Sequence, residues 1–311
     1  MGSRALLMQM SDVDIRLLRV FRAVVEAGGV SAAELELNIG RSAISRHLKD
    51  LEIRLNIVLC RRGRGGFSLT DDGRHVYQST LRLLAAIDTF RTEVNDVHRD
   101  LTGNLAIALF DKMVSNPQSR ISAAIGRFDE LAPAVTLDVS VSTINEIEKG
   151  VMDGRYGMGI IPTHRSSTSL VYLPLFSETM NLYAGRSHPA FDTPPGAATD
   201  KLIRHAKFAG LGYHSPNMEI TNLKGYTRDA SCYDQEAVAT LILSGKYLGF
   251  LPDHYARRFE EQQLMRALDP AEHAYSCEFA GIYRQSPKPT RILQTFIDCL
   301  TEAHQAPGGR D

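Results

Sequence analysis

The chain contains no run of about 18 uninterrupted apolar residues, the length a helix needs to cross a bilayer, so a membrane-spanning role is not expected. Cysteine is scarce. The four present, Cys60, Cys232, Cys277 and Cys299, show neither the paired spacing of a zinc site nor that of a disulfide framework. This usage fits a reducing, cytoplasmic compartment and a protein without a structural metal. Catalytic signatures are missing as well. There is no Gly-x-Ser-x-Gly elbow, no P-loop and no histidine pair at metal-binding spacing, and the ten histidines are scattered. Gly63-Arg64-Gly65-Gly66 superficially suggests a phosphate cradle, but it lacks the Gly-Lys-Ser/Thr continuation and does not open a helix. The expectation is therefore a protein that is not an enzyme and holds no cofactor. The opening Met1–Met10 carries one basic residue and no convincing cleavage site, and reads as an extension rather than a signal peptide.

What is present is concentrated near the N-terminus. Ser31 to Leu48 reads as two short helices about an Asn38/Gly40 turn, the second opening with polar and basic residues. That layout is a helix-turn-helix, whose second helix can lie in the DNA major groove. Leu59 to Thr70 follows as two short β-leaning ends joined by a Gly/Arg loop, which predicts a hairpin and hence a winged helix-turn-helix over 12–70. Between Arg41 and Arg64 stand seven basic residues (Arg41, Arg46, Lys49, Arg54, Arg61, Arg62, Arg64) and two acidic ones (Asp50, Glu52), a net +5 within a chain of net charge −1. Such a patch neutralises phosphates and supplies affinity for nucleic acid that falls with salt.

From Asp71 to Leu101 no proline interrupts the chain, and two aspartates occupy the first turn, where carboxylates favour a helix N-terminus. Val76, Thr80, Leu83, Ile87, Phe90, Val94, Val97 and Leu101 recur at alternating steps of four and three. This is a heptad seam, narrower than the stripe of a helix packed on its own domain, and it predicts a dimerising helix over 71–101. At 311 residues the chain should hold about two domains plus connections.

These features resemble the N-terminal region of LysR-type transcriptional regulators. The likeness rests on Leu17, Leu18 and Phe21, Gly28-Gly29-Val30-Ser31-Ala32-Ala33, Leu37, Ser42-Ala43-Ile44-Ser45, Leu48, Leu51-Glu52, Leu55 and Leu69-Thr70-Asp71-Asp72-Gly73. Two positions depart from the family pattern: Gly40-Arg41 opens the recognition helix where Ser or Thr followed by Gln or Pro is usual, and Cys60 replaces a phenylalanine in the wing. Glycine is a weaker cap than Ser or Thr. Arg41 suits guanine O6 and N7, or a phosphate, where glutamine suits adenine. The resemblance implies DNA contacts from Ser31, Arg41, Ser42, Ser45, Arg46, Lys49, Arg62 and Arg64, with Ala43, Ile44, Leu48 and Leu51 on the packed side of the helix. It also implies a homodimer through the linker helix, a homotetramer built from it, and contact with RNA polymerase at a promoter or operator.

Beyond Leu101-Thr102-Gly103 the pattern becomes alternating strands and helices, which argues for parallel sheet covered by helices. Strands are expected at 105–110, 135–141, 157–161, 180–184, 208–213 and 248–251, and helices at 119–131, 144–152 and 236–243, with a final amphipathic helix carrying Ile292, Leu293, Phe296, Ile297 and Leu300. No internal repeat is evident in the letters. The resemblance extends here more loosely, through Gly150-Val151-Met152-Asp153-Gly154, Ile160-Ile161-Pro162 and Leu243 to Pro252. It implies a periplasmic-binding-protein-like effector domain over 103–307, with subdomain I at 103–177 plus 287–307 and subdomain II at 178–286. The fold class is thus multidomain α/β: winged helix-turn-helix, linker helix, and a C-terminal domain of two α/β subdomains.

In open α/β sheets ligands bind at the carboxyl ends of strands, where helix N-termini favour anions. The loops at those places nominate Lys112, Ser115, Thr143, His214, Ser231 and Tyr233 as effector contacts and a small organic acid as the effector. Two alternatives stay open: a thiol-based redox sensor of the same architecture, centred on Cys232, and a ligand-binding module without regulatory DNA binding.

Overall fold

The structure, a computed structural model, describes residues 10–63, 66–95 and 101–305. They form two units, one over the first 91 residues plus Asp153–Arg155 and one over the rest.

In the first unit, helices α1 (Asp12–Glu26), α2 (Val30–Leu37) and α3 (Arg41–Leu55) precede a hairpin of β1 (Cys60–Gly63) and β2 (Gly66–Leu69), and helix α4 (Asp71–Asn95) follows. The winged helix-turn-helix is present as the pattern predicts. Gly28 and Gly29 make the α1–α2 bend at φ +75° and +154°, a region where a side chain is strained. Asn38 and Asn56 end α2 and α3 in the left-handed conformation. Leu17, Phe21, Val24, Ala33, Ile44, Leu48, Leu51 and Leu59 form the core. Each fully buried side chain of this kind contributes about 1.5–3 kcal/mol.

Arg54 leaves the basic patch in which the sequence count placed it. Its guanidinium is paired with Asp14 through Nε and, at 3.0 Å, through Nη2, and the Asp14 side chain is 1% exposed. The Ser11 backbone and hydroxyl also donate to Asp14 Oδ2, at 2.8 and 2.7 Å. The Arg54 and Ser11 hydrogen bonds hold this carboxyl well below the usual carboxylate range. A charge that braces α1 against α3 inside the domain is spent there and adds little to phosphate attraction.

The Leu69-to-Gly73 motif acquires a mechanical reason. Thr70 Oγ1 accepts from the Gly73 N–H at 2.9 Å and donates to the Val58 carbonyl at 2.6 Å, locking the start of α4 onto the wing. A Cβ on Gly73 would lie 1.9 Å from the Leu59 carbonyl oxygen. Gly73→Ala should therefore destabilise this unit by about 2–3 kcal/mol, as overpacking does. Denaturant unfolding followed by circular dichroism checks this.

The heptad seam divides on α4. Val76 and Leu83 pack on the winged-helix core, Thr80 is 2% exposed, and Phe90 is 65% exposed. The early part of the seam is used within the chain. Leu81 and Leu84, off the seam, are buried too. Val97 lies outside the described residues, and of the expected 71–101 helix the structure describes the part that ends at Asn95.

The second unit holds one sheet ordered β4-β3-β5-β11-β6-β9-β7-β8, with β10 on β6. Its strands are β3 (Thr102–Leu109), β4 (Ala134–Val141), β5 (Met158–Pro162), β6 (Leu170–Gly185), β7 (Lys207–Leu211), β8 (Arg228–Cys232), β9 (Tyr247–Pro252), β10 (Met265–Ala267) and β11 (Ala274–Arg284). Its helices are α5 (Ile121–Leu131), α6 (Ile144–Met152), α7 (Ala197–His205), α8 (Pro216–Leu223), α9 (Gln235–Leu243), α10 (Asp253–Glu261) and α11 (Arg291–Gln305). Each end of the sheet is a parallel trio, β4-β3-β5 and β8-β7-β9, and the long antiparallel strands β6 and β11 join them. The trios share one strand-helix-strand-helix-strand path, a structural repeat that the letters do not display. The two subdomains are therefore there, but the crossing takes place inside β6 and β11.

Several elements escaped the sequence for local reasons. β8 reads Arg-Asp-Ala-Ser-Cys and is mostly exposed at the sheet edge, so it has no apolar alternation. Only the end of β6 was expected, because Pro174 interrupts it; a bulge opposite Phe279/Ala280 absorbs the proline. Helices α7, α8 and α10 were missed, and α5 starts at Ile121, two residues later than expected. Among the described residues no helix is long and apolar enough to cross a membrane.

Candidate nucleic-acid interface and ligand cleft

Helix α3 divides into two faces. Ile44, Leu48 and Leu51 are at most 1% exposed, whereas Arg41, Ser42, Arg46 and Lys49 face solvent and Ser45 is half-buried. Ser31, Arg41, Ser42 and Ser45 line one concave surface with Gly28, Gly29, Gly66 and Phe67, so the N-termini of α2 and α3 and the wing share a groove. Helix α2 opens on Gly29 without a side-chain cap, which leaves its first N–H groups suited to a phosphate. Arg62 lies in β1, and Arg64 falls outside the described residues.

Gly40 proves not to be an undefended cap. The carboxylate of Glu34, on α2, accepts from the Arg41 backbone N–H at 2.6 Å, so the preceding helix supplies the acceptor that glycine lacks. The guanidinium of Arg41 in turn donates to the Ser31 hydroxyl. Two predicted contacts are thereby held as a pair in the groove. Glu52 completes the frame by accepting from the Leu59 and Cys60 N–H groups at 2.8 and 3.3 Å, which aims the wing.

In the second unit a narrow cleft lies at the carboxyl ends of β3 and β7, where the strand order of each trio reverses. Phe110, Ile144 and Pro162 line it from one trio and Leu211, Ser215, Pro216, Asn217 and Gln235 from the other, while Glu178, Met180, Tyr275 and Cys277 come from the crossing strands. The room inside it is about 10 Å³, space for about one water molecule. Ligand sites span roughly 300–1,000 Å³, so the cleft is closed in this arrangement and a metabolite enters only as its walls part. Ser215 caps α8 through its hydroxyl, which accepts from Met218 N at 3.3 Å, and Pro216 occupies the first turn. Asp234 caps α9 in the same way, accepting from Ala237 N at 2.7 Å.

The six predicted effector residues stand around this cleft rather than on its lining. Thr143 and His214 immediately precede the lining residues Ile144 and Ser215; the Thr143 carbonyl starts α6, and His214 Nε2 lies 3.5 Å from Glu219. Ser231 and Tyr233 are exposed, Tyr233 by 69%. Lys112, proposed as a counter-charge, is paired with Glu236 at the start of α9. Ser115 Oγ lies 2.9 Å from His254 Nδ1, and His254 Nε2 lies 3.1 Å from Glu178 Oε2, both ring and carboxyl being buried. The sequence missed Glu178, Gln235 and His254 because each comes from an element whose neighbours were unknown.

Asp111, next to Lys112, accepts from the Gln235 N–H at 2.7 Å through Oδ2, while its buried Oδ1 has no partner among the described residues. Burial pushes this carboxyl up to about 6, against the help of the Gln235 N–H and Lys112, and with added repulsion from Asp234 and Glu178. A carboxyl whose folded pKa exceeds its unfolded one disfavours folding once ionised, so stability should fall as pH rises from about 4 to 6. Asp111→Asn keeps an acceptor for Gln235 and should raise stability at pH 7 by about 2 kcal/mol, with no gain at pH 4. Thermal unfolding across that range measures it.

None of the four cysteines forms a disulfide, and all four are buried. Burial raises the thiols of Cys232, Cys277 and Cys299. Redox-sensing thiols need the opposite shift. Among the described residues no group of three or more His, Cys, Asp or Glu is arranged to hold a metal.

Comparison with known proteins covers both units. The family described as "Bacterial regulatory helix-turn-helix protein, lysR family" matches residues 15–74, and that described as "LysR substrate binding domain" matches 98–305. The HTH-type transcriptional activator BauR of Pseudomonas aeruginosa is 40% identical over 292 residues, 94% of this chain and 96% of that protein. The regulator TdcA of Escherichia coli is 20% identical over 299 residues, 92% of this chain and 91% of its own. Among solved structures, the LysR family regulator CbnR superposes with a TM-score of 0.65 at 19% identity, covering 94% of this chain and 99% of that one. CbnR complexed with its target DNA gives 0.63 at 20%, covering 93% and 99%.

Proposed function

The chain belongs to the LysR family of DNA-binding transcriptional regulators, and we propose that it grips promoter DNA as a homodimer and alters transcription when a small molecule occupies the cleft between its α/β subdomains. The observation that carries this reading is the groove shared by α2, α3 and the wing, where Ser31, Arg41, Ser42 and Ser45 converge. Arg46 and Lys49 extend the same exposed side of α3. Base edges are read by Arg41, Ser42, Ser45 and Arg46, and Ser31, Lys49, Arg62 and Arg64 hold phosphates.

Ligand control follows from population shift. The C-terminal end of β3 meets the start of α9 through Asp111–Gln235 and Lys112–Glu236, ties that join the two trios across the cleft. A ligand that favours one arrangement of the trios over another moves the equilibrium by its differential affinity, and α4 carries the change to the paired DNA-binding units. Assembly into a tetramer and contact with RNA polymerase belong to the same proposal, in a cytoplasmic setting. Footprinting on a promoter fragment, with and without a stabilising metabolite, tests it: the protected region should change length or affinity with ligand, and a footprint indifferent to every stabilising ligand would refute effector control.

A further inference from the structure

We propose that the ligand of this cleft carries a protonated amine, seated against the side-chain oxygen of Gln235 with the carboxylates of Glu178 and Asp111 supplying the opposing charge. The inference rests on the cleft being the effector site and names the chemical class that the site takes, in place of the organic acid suggested by helix N-termini alone. Three observations carry it.

Gln235 is 2% exposed and lines the cleft, yet its Oε1 has no hydrogen-bond partner among the described residues. An orphaned acceptor buried this deeply is unfavourable, and a donor on a bound molecule removes that cost. The second observation is charge. The residues lining the cleft include Glu178, 7% exposed, and no lysine or arginine; Lys112 is already paired with Glu236, and the His254 ring lies 3.1 Å from Glu178 on the side of α10. A carboxylate entering this space would meet acceptors and like charge. An ammonium would meet the unpartnered Gln235 oxygen, with the unpartnered Asp111 Oδ1 behind it and the Glu178 carboxyl beside it.

Third, the orphan acceptors cluster. Asp111 Oδ1 lacks a partner, and its other oxygen is bonded to the backbone N–H of Gln235, so carboxylate and amide are adjacent. The hydroxyl of Tyr213, 9% exposed and within the field of Asp111, is also unpartnered. An ammonium group has three donors and no acceptor, the complement of this set. Two of the helix N-termini on which an anion would have relied are capped from within the chain: Ser215 and Asp234 cap α8 and α9 with their own side chains.

The test uses the full-length protein and matched probes differing in the amine: glycine against acetate, 4-aminobutyrate against butyrate, and butylamine as an amine without a carboxylate. Affinities come from calorimetry, and thermal shift serves as a screen. At least one amine-bearing probe should bind ten-fold or more tightly than its amine-free partner. Gln235→Leu, which keeps volume and removes the acceptor, should lose that binding ten-fold or more while the unliganded protein melts no lower than the parent. Asp111→Asn, which keeps an acceptor for the Gln235 N–H, should weaken it similarly. If acetate or butyrate binds as well as its amine partner, or no amine binds at all, the inference is overturned. It is equally overturned if a water molecule alone satisfies Gln235 in a ligand-saturated crystal. Duplex binding measured on the same sample separates the two levels: DNA bound with amines ignored removes the amine alone, whereas failure to bind any duplex removes the regulator reading.

Discussion

Arg46→Ala is expected to weaken binding to a selected duplex about 10²- to 10⁴-fold while leaving the protein folded. Arg46 is exposed on α3, on the side that carries Ser42 and Lys49 and opposite Ile44, Leu48 and Leu51. A bidentate arginine–base contact is worth about 1–3 kcal/mol, and a two-fold dimer loses it in both half-sites, which compounds the loss. The packed side of the helix is untouched, so thermal stability should stay within about 0.5 kcal/mol of the parent. Gel shift against the cognate duplex and against a scrambled one distinguishes the roles. A base contact costs affinity for the cognate duplex alone, a phosphate contact costs both and reduces the salt slope.

Phe90→Asp should convert the proposed dimer to monomers at micromolar concentration. On α4 the ring is 65% exposed in the single chain, one step along the heptad seam from Ile87. Val76 and Leu83 pack on the domain core, which leaves the later part of the seam to face a partner. Burying most of a phenylalanine ring contributes about 2 kcal/mol, and two-fold symmetry counts it twice, so about 4 kcal/mol corresponds to roughly a thousand-fold in dissociation constant. The introduced carboxylates, brought together at an apolar seam, add to the loss. Analytical ultracentrifugation reads the outcome directly, and circular dichroism at low concentration shows whether the winged-helix core survives. A variant that remains dimeric would assign pairing to some other surface.

The DNA-binding unit was legible because its signals are local. The Asn38 turn, the 44/48/51 apolar side of α3 and the Gly/Arg wing each sit within a few residues of what they pattern. What stayed hidden there was tertiary: Arg54 counts as a patch charge until Asp14, 40 residues away in the chain, is seen to take it. The capping of Gly40 by Glu34 is similar, a carboxylate that reads as a solvated helix charge until α2 and α3 are placed side by side.

The cleft was less legible, for a physical reason. Its position follows from strand order, and strand order depends on the long crossing strands β6 and β11, one broken by Pro174 and the other pairing with strands more than 90 residues earlier in the chain. Loop positions such as Thr143 and His214 were found to within one residue of the lining. The charge of the cleft was not, because Glu178 and Gln235 gain their meaning from burial and from missing partners, and neither property is written in residue type.

The most direct test of paired DNA recognition by the N-terminal unit is fluorescence anisotropy of the full-length protein on a duplex selected from a random pool, repeated between 50 and about 200 mM salt. A regulator that clamps phosphates from two wings and two recognition helices should bind as a dimer, and its affinity should fall about 10³-fold or more across that range. Absence of binding to any duplex at the lowest salt, or binding as a monomer with a flat salt response, would contradict it.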